Sequence, residues 1–126
     1  MGTMSDETIT LGGRQVRLCA PAGLRLDSEA AAIDLIGSLW GQEVDWLVLP
    51  TARLGEAFLN LRSGVAGAVI QKFVTYRLRL AIVGDISTEV AASGALRDFV
   101  SESNSGDRVW FVPDLPALEA RLRKAR

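Results

Sequence analysis

Asp27, Asp85 and Asp114 are the carboxylates with the most chemical promise in this 126-residue chain. Each follows an expected strand and precedes an expected helix, so a parallel sheet would bring all three to the carboxyl end of its strands, where open α/β folds bind ligands. Gathered there, they would make a hard oxygen donor set suited to Mg²⁺. Each also has an ordinary use, because an aspartate oxygen at such a point caps a helix or closes a turn. Other catalytic chemistry has little to draw on. The chain contains no histidine to serve as a base. Its single cysteine, Cys19, falls in an expected strand without an obvious activating partner, and no phosphate loop of the GxxxxGK type occurs. The expectation is therefore a protein that is not an enzyme and carries no cofactor, with catalysis by carboxylates alone as the alternative.

A second group is Gln71, Lys72, Thr75 and Arg77, which lie off the apolar stripe of a long predicted helix with Tyr76 beside them. A cationic, hydrogen-bonding face of this kind could recognise a protein partner or an anionic ligand, or be a solvated helix face. Trp40, Trp46 and Trp110 stand in or at the ends of regular elements and read as core or subunit-interface residues, which leaves room for a homo-oligomer.

The elements that must position these residues follow from periodicity. Thr8 to Leu11 and Gln15 to Ala20 alternate around Gly12-Gly13 and predict a hairpin, its first strand at a sheet edge. After the Pro21-Ala22-Gly23 turn, Asp27 or Ser28 caps a helix with the stripe Ala32, Ile33, Leu35, Ile36, Leu39 and Trp40, closed by Gly41. Trp46 to Leu49 and Leu78 to Val83 are continuously apolar, the pattern of parallel strands covered on both faces. Between them Leu54, Phe58 and Leu61 suggest a short helical turn, and Val65, Val69 and Phe73 with Ala66, Ile70 and Val74 a helix from Ser63 to about Tyr76. Ser87 or Thr88 caps a further helix burying Ala92, Ala95, Leu96, Phe99 and Val100, and failing near Asn104 and Gly106. Val109 to Val112 is the last strand, and Asp114 caps a closing helix with Pro116 in its first turn. The order β-β-α-β-α-β-α-β-α predicts an α/β sandwich with a mixed sheet and a parallel core.

Composition bounds the partners. Fourteen basic and 15 acidic residues give a net charge of −1, with no bulk field for nucleic acid or anionic lipid. Arg121, Arg123, Lys124 and Arg126 make the last turn locally basic, as a helix C-terminus prefers. One cysteine suits a reducing cytoplasm, and no apolar run reaches the roughly 20 residues of a membrane span. A single domain over 1–126 is expected, with about the first seven residues disordered.

The stretch from Trp46 to Gly84 resembles the central motif of STAS domains, the fold of bacterial anti-sigma-factor antagonists: an apolar strand, a connection, a helix led by Ser-Gly, and a strand ending in glycine. LRLDSEAAAIDL is similar to the segment entering the first STAS helix. Through DLIG, RSGVAGAVIQKF, YRLRLAIVGDIS and LRDFVSESN the chain is also similar to the uncharacterised bacterial domain of unknown function 4180 family. The STAS resemblance implies a regulatory protein-interaction module whose phosphoacceptor is Ser63, followed by Gly64; read from the residues alone, Ser63 simply caps its helix while Gly64 gives close backbone approach. Unpaired N–H groups at the start of a helix would stabilise a phosphate of roughly −1.5 to −2 charge. Where the antagonists carry an acidic residue and a second serine, this chain has Leu61 and Arg62, and Arg62 could pair with a phosphate. The residues alone leave a rival reading: a small-molecule or metal-binding domain using the aspartates. No nucleic acid or membrane partner is expected under either.

Overall fold

The computed structural model describes residues 7–20, 25–39 and 42–124. Five strands form one sheet in the order β1-β2-β3-β4-β5: β1 (Glu7–Leu11), β2 (Arg14–Leu18), β3 (Trp46–Pro50), β4 (Arg79–Val83) and β5 (Val109–Val112). β1 and β2 are antiparallel around Gly12-Gly13, whose φ values of 58° and 84° suit a two-residue hairpin turn. The pairs β2–β3, β3–β4 and β4–β5 are parallel; the continuous apolar runs of β3 and β4 predicted this for those two strands, and the alternating β2 adds a parallel neighbour that its pattern did not announce.

The six helices are α1 (Glu29–Gly37), α2 (Glu56–Leu59), α3 (Val65–Thr75), α4 (Ser87–Ala92), α5 (Gly94–Ser105) and α6 (Leu115–Lys124). Because β2 to β5 step across the sheet in one direction, crossovers of one hand put every connecting helix on one face. The core is divided accordingly. On one side Leu47, Leu49, Leu80, Ile82, Val109 and Phe111 meet Ala32, Leu35 and Ile36 of α1, Phe58 of α2, and Ala66, Val69 and Phe73 of α3. On the other, Trp46, Val48, Ala81, Trp110 and Val112 meet Leu118 and Leu122 of α6, the one helix that is not a crossover. Phe58 and Phe73 are completely buried, each worth about 1.5–3 kcal/mol in removed apolar surface.

Three expectations about the helices change. Ile33, placed on the buried stripe of α1, is 43% exposed, while Ala31 takes a buried position. The helix predicted from Ser87 to about Asn104 is two helices, broken at Ser93, whose extended backbone lets its Oγ accept from the Leu96 N–H at 3.1 Å and cap α5. Ala92 and Ala95 beside that break are exposed, whereas Leu96 is buried. The start of α3 moves from Ser63 to Val65, because Leu61–Ser63 form a separate 3₁₀ turn. The Pro21-Ala22-Gly23 turn, Trp40 and Gly41 lie outside the described residues.

Candidate functional site

Asn60 and Gly64 set the geometry around Ser63. The Asn60 Oδ1 accepts from the Arg62 N–H at 3.2 Å and starts the 3₁₀ turn, and Gly64 ends it at φ +77°, a left-handed conformation suited to glycine. Ser63 is exposed, as are Arg62 and Gly64. Its Oγ lies 2.5 Å from the carbonyl oxygen of Ala57 and 2.8 Å from that of Asn60, and accepts from the Val65 N–H at 3.2 Å. The single hydroxyl proton is shared between two acceptors. The side chain therefore ties α2, the 3₁₀ turn and the first N–H of α3 together.

From this point the exposed stripe of α3 runs through Gly64, Gly67, Gln71 and Thr75. A Cβ at Gly67 would meet nothing within 4 Å. The Thr75 hydroxyl donates to the Gln71 carbonyl oxygen at 2.9 Å. Lys72 departs from the predicted face: its Nζ forms an ion pair of 3.2 Å with Glu29 of α1, so it stitches two helices together. Arg77 sits beyond the helix end at φ +58°, the one non-glycine residue with positive φ among those described. It occupies the left-handed position of a C-terminal cap in which the Leu78 N–H donates to the Phe73 carbonyl at 2.9 Å and the Arg77 N–H to that of Val74 at 3.1 Å. Exposed Tyr76 adjoins it.

The aspartates are used separately. Asp27 is packed beside Gly55, where a Cβ would fall 2.4 Å from its own Cβ. The Asp85 Oδ1 accepts from the Ser87 N–H at 2.8 Å, and the Asp114 Oδ1 from the Ala117 N–H at 2.9 Å, as turn and cap residues do. Hydrogen bonds from Ser87, hydroxyl first and backbone second, hold the Asp85 carboxyl below its ordinary value of 3.8. Among the described residues no three acidic, histidine or cysteine side chains gather so as to hold a metal ion, which corrects the expected Mg²⁺ cluster. A shallow hollow of about 210 Å³ at the ends of β4 and β5 is lined by Gly84, Asp85, Ser87, Phe111 and Pro113, with Asp85 as its carboxylate.

Nothing in the residue pattern points to Arg53, which is buried at 5% exposure in the 3₁₀ turn after β3. Its Nη1 donates to the Ala20 carbonyl at 2.9 Å and its own carbonyl accepts from the Leu26 N–H at 2.7 Å, so it holds both the residue that follows β2 and the approach to α1. A charged residue at a strand end ordinarily reads as exposed.

No helix among the described residues is long and apolar enough to cross a membrane. Comparison with curated proteins finds no match, and comparison with solved structures finds none either. The profile of the family described as Domain of unknown function (DUF4180) matches residues 11–122, from the end of β1 to within α6. Across that span the chain belongs to the DUF4180 family.

Proposed function

We propose that this protein works by binding, as a cytoplasmic regulatory protein-interaction module of the STAS kind, with the exposed stripe of α3 as its contact surface and Ser63 as a phosphorylation switch. The observation that carries the reading is a pair of residues that the fold alone would not select. Gly67 stands inside a helix with open space where a Cβ would be, although alanine would be more stable there by about 1 kcal/mol. Arg77 holds a left-handed cap that glycine fills without strain, at about 1–2 kcal/mol for an L-residue. Stability forgone at two places along one helix is the pattern expected of a working surface. A bare Gly67 lets a partner's backbone approach closely, Gln71 offers hydrogen bonds one turn further on, and Arg77 offers a charge where the helix ends.

Ser63 suits a switch because its hydroxyl is exposed and its proton is in use. Phosphorylation removes that proton and sets a dianion against two carbonyl oxygens, so the side chain must swing outward and release the turn that leads into α3. Arg62 is at hand to receive it. Affinity capture from the native host tests both parts, with Gly67→Lys blocking the stripe and Ser63→Asp imitating the charge. The captured partner should be lost with Gly67→Lys and change in affinity with Ser63→Asp. An identical catch for wild type and Gly67→Lys would refute the surface, and unphosphorylated Ser63 with unaltered binding of Ser63→Asp would refute the switch. The alternative, a small-molecule site at the carboxyl end of the sheet, has the hollow beside Asp85 in its favour; a ligand-induced rise in melting temperature abolished by Asp85→Asn would support it.

A further inference from the structure

The two edges of the sheet are treated differently. At β5 the side chain of Asn104 closes the ladder: its Oδ1 accepts from the Phe111 N–H at 2.7 Å and its Nδ2 donates to the Phe111 carbonyl at 3.2 Å. At β1 no such device exists among the described residues. Glu7–Leu11 reads ETITL, without proline, lysine or a bulge, the features that usually guard an edge. The hairpin register fixes which groups face outward. A two-residue turn makes Leu11 and Arg14 a hydrogen-bonded pair, and alternation makes Ile9–Val16 and Glu7–Leu18 the same. The N–H and C=O groups of Thr8 and Thr10 therefore point away from β2.

We propose that this edge pairs with a second copy of the chain, β1 against β1 in antiparallel fashion about a two-fold axis at Ile9, joining two sheets into one. That register is self-complementary on three counts. It sets Thr8 opposite Thr10 of the second copy, so both outward-facing residues on each strand meet outward-facing partners and four backbone hydrogen bonds form. Ile9 meets its own symmetry mate in the close, non-hydrogen-bonded position, extending the apolar face on which Ile9 and Leu11 already pack. Glu7 falls opposite Leu11 of the second copy, with Arg14 of that copy next along on the same face. Neither Glu7 nor Arg14 makes an ion pair among the described residues, and the axis gives them two crossed ones. The other face carries Thr8 and Thr10, whose hydroxyls accept from Arg17 at 3.3 Å and Gln15 at 3.0 Å, so it stays polar. The contact is small, which makes the dimer a reversible one, and it does not involve the exposed stripe of α3.

Sedimentation velocity of the full chain, carried up to concentrations on the order of 100 µM to suit so small an interface, should show a species of twice the 13.6 kDa chain mass. Thr8→Lys/Thr10→Lys and Thr8→Glu/Thr10→Glu each set like charges opposite one another and should be monomeric, while an equimolar mixture of the two should recover the dimer. Hydrogen exchange on the unmodified protein gives a second readout: the amides of Thr8 and Thr10 should become protected as concentration rises. A monomer at every concentration overturns the proposal. So does a dimer that both double variants retain, or one in which the Thr8 and Thr10 amides stay unprotected.

Discussion

A Cβ on Gly84 would lie 2.4 Å from Oγ1 and 2.8 Å from Cγ2 of Thr51, so the end of β4 and the turn leaving β3 touch backbone to side chain. Gly84 also holds φ +143°, where a side chain is strained whatever the space. Gly84→Ala should lose about 1–3 kcal/mol from overpacking, with strain added. Thr51→Ala removes the two nearest atoms and leaves only its Cβ at 3.1 Å, so the same substitution in that background should cost less, and the remainder reports the backbone together with that one contact. Denaturant midpoints of the four proteins measure this; equal losses in both backgrounds would mean that Thr51 is not the obstacle.

Asn104 is the next test. Removing its amide leaves the N–H and C=O of Phe111 without their partner on an edge strand. Asn104→Ala should destabilise by about 1–3 kcal/mol. It should also make the protein more prone to associate, because a bare β5 edge is a template for another strand. Light scattering beside a denaturant curve reads both effects, and an unchanged midpoint would show that Asn104 does not close the edge.

Much of this architecture was legible because strand signals here are unambiguous. The apolar runs at Trp46 and Leu78 have no helical phase and point to parallel neighbours, while the alternation on either side of Gly12-Gly13 points to the antiparallel edge hairpin. What escaped the sequence was set by tertiary partners or by ambiguous phase. Four consecutive apolar residues, Ala30 to Ile33, leave the phase of the α1 stripe undetermined by a residue or so, and the structure buries Ala31 and exposes Ile33. The Ser93-Gly94 break carried a local sign, a serine that can cap, inside a pattern that also fits one continuous helix. Lys72 reads as a surface cation until α1 brings Glu29 within 3.2 Å. For the aspartates, position at the strand ends was readable, but convergence depended on how far apart the strands stand, and local backbone partners at Ser87 and Ala117 took the carboxylates first.

Asp85 supplies a pH test. Its carboxyl is held below 3.8 by Ser87, so the charged form is favoured in the folded protein. A depressed folded pKa contributes stability that is fully present above the unfolded value and is lost as pH falls through the folded one. Carboxyl resonances followed by NMR should place the Asp85 midpoint below the ordinary aspartate range, and Ser87→Ala should move it upward. A wild-type midpoint at or above 3.8 would contradict the geometry at Ser87.

The last test concerns α3, where stability and binding should part company. Gly67→Ala adds a methyl group into open space and should stabilise by up to about 1 kcal/mol. Arg77→Gly relieves a left-handed residue and should gain a similar amount, about 1 kcal/mol. Ser63→Ala should do the opposite, losing about 0.5–2 kcal/mol with the bond to the Val65 N–H and the ties to Ala57 and Asn60. If the stripe is a contact surface, both stabilising variants should bind the captured partner more weakly than wild type, since one fills the space a partner approaches and the other removes a charge at the end of the stripe. Melting curves and binding isotherms on the same samples separate the two quantities. Should Gly67→Ala and Arg77→Gly be stabler and bind undiminished, the forgone stability would have no part in recognition and the surface would have to lie elsewhere.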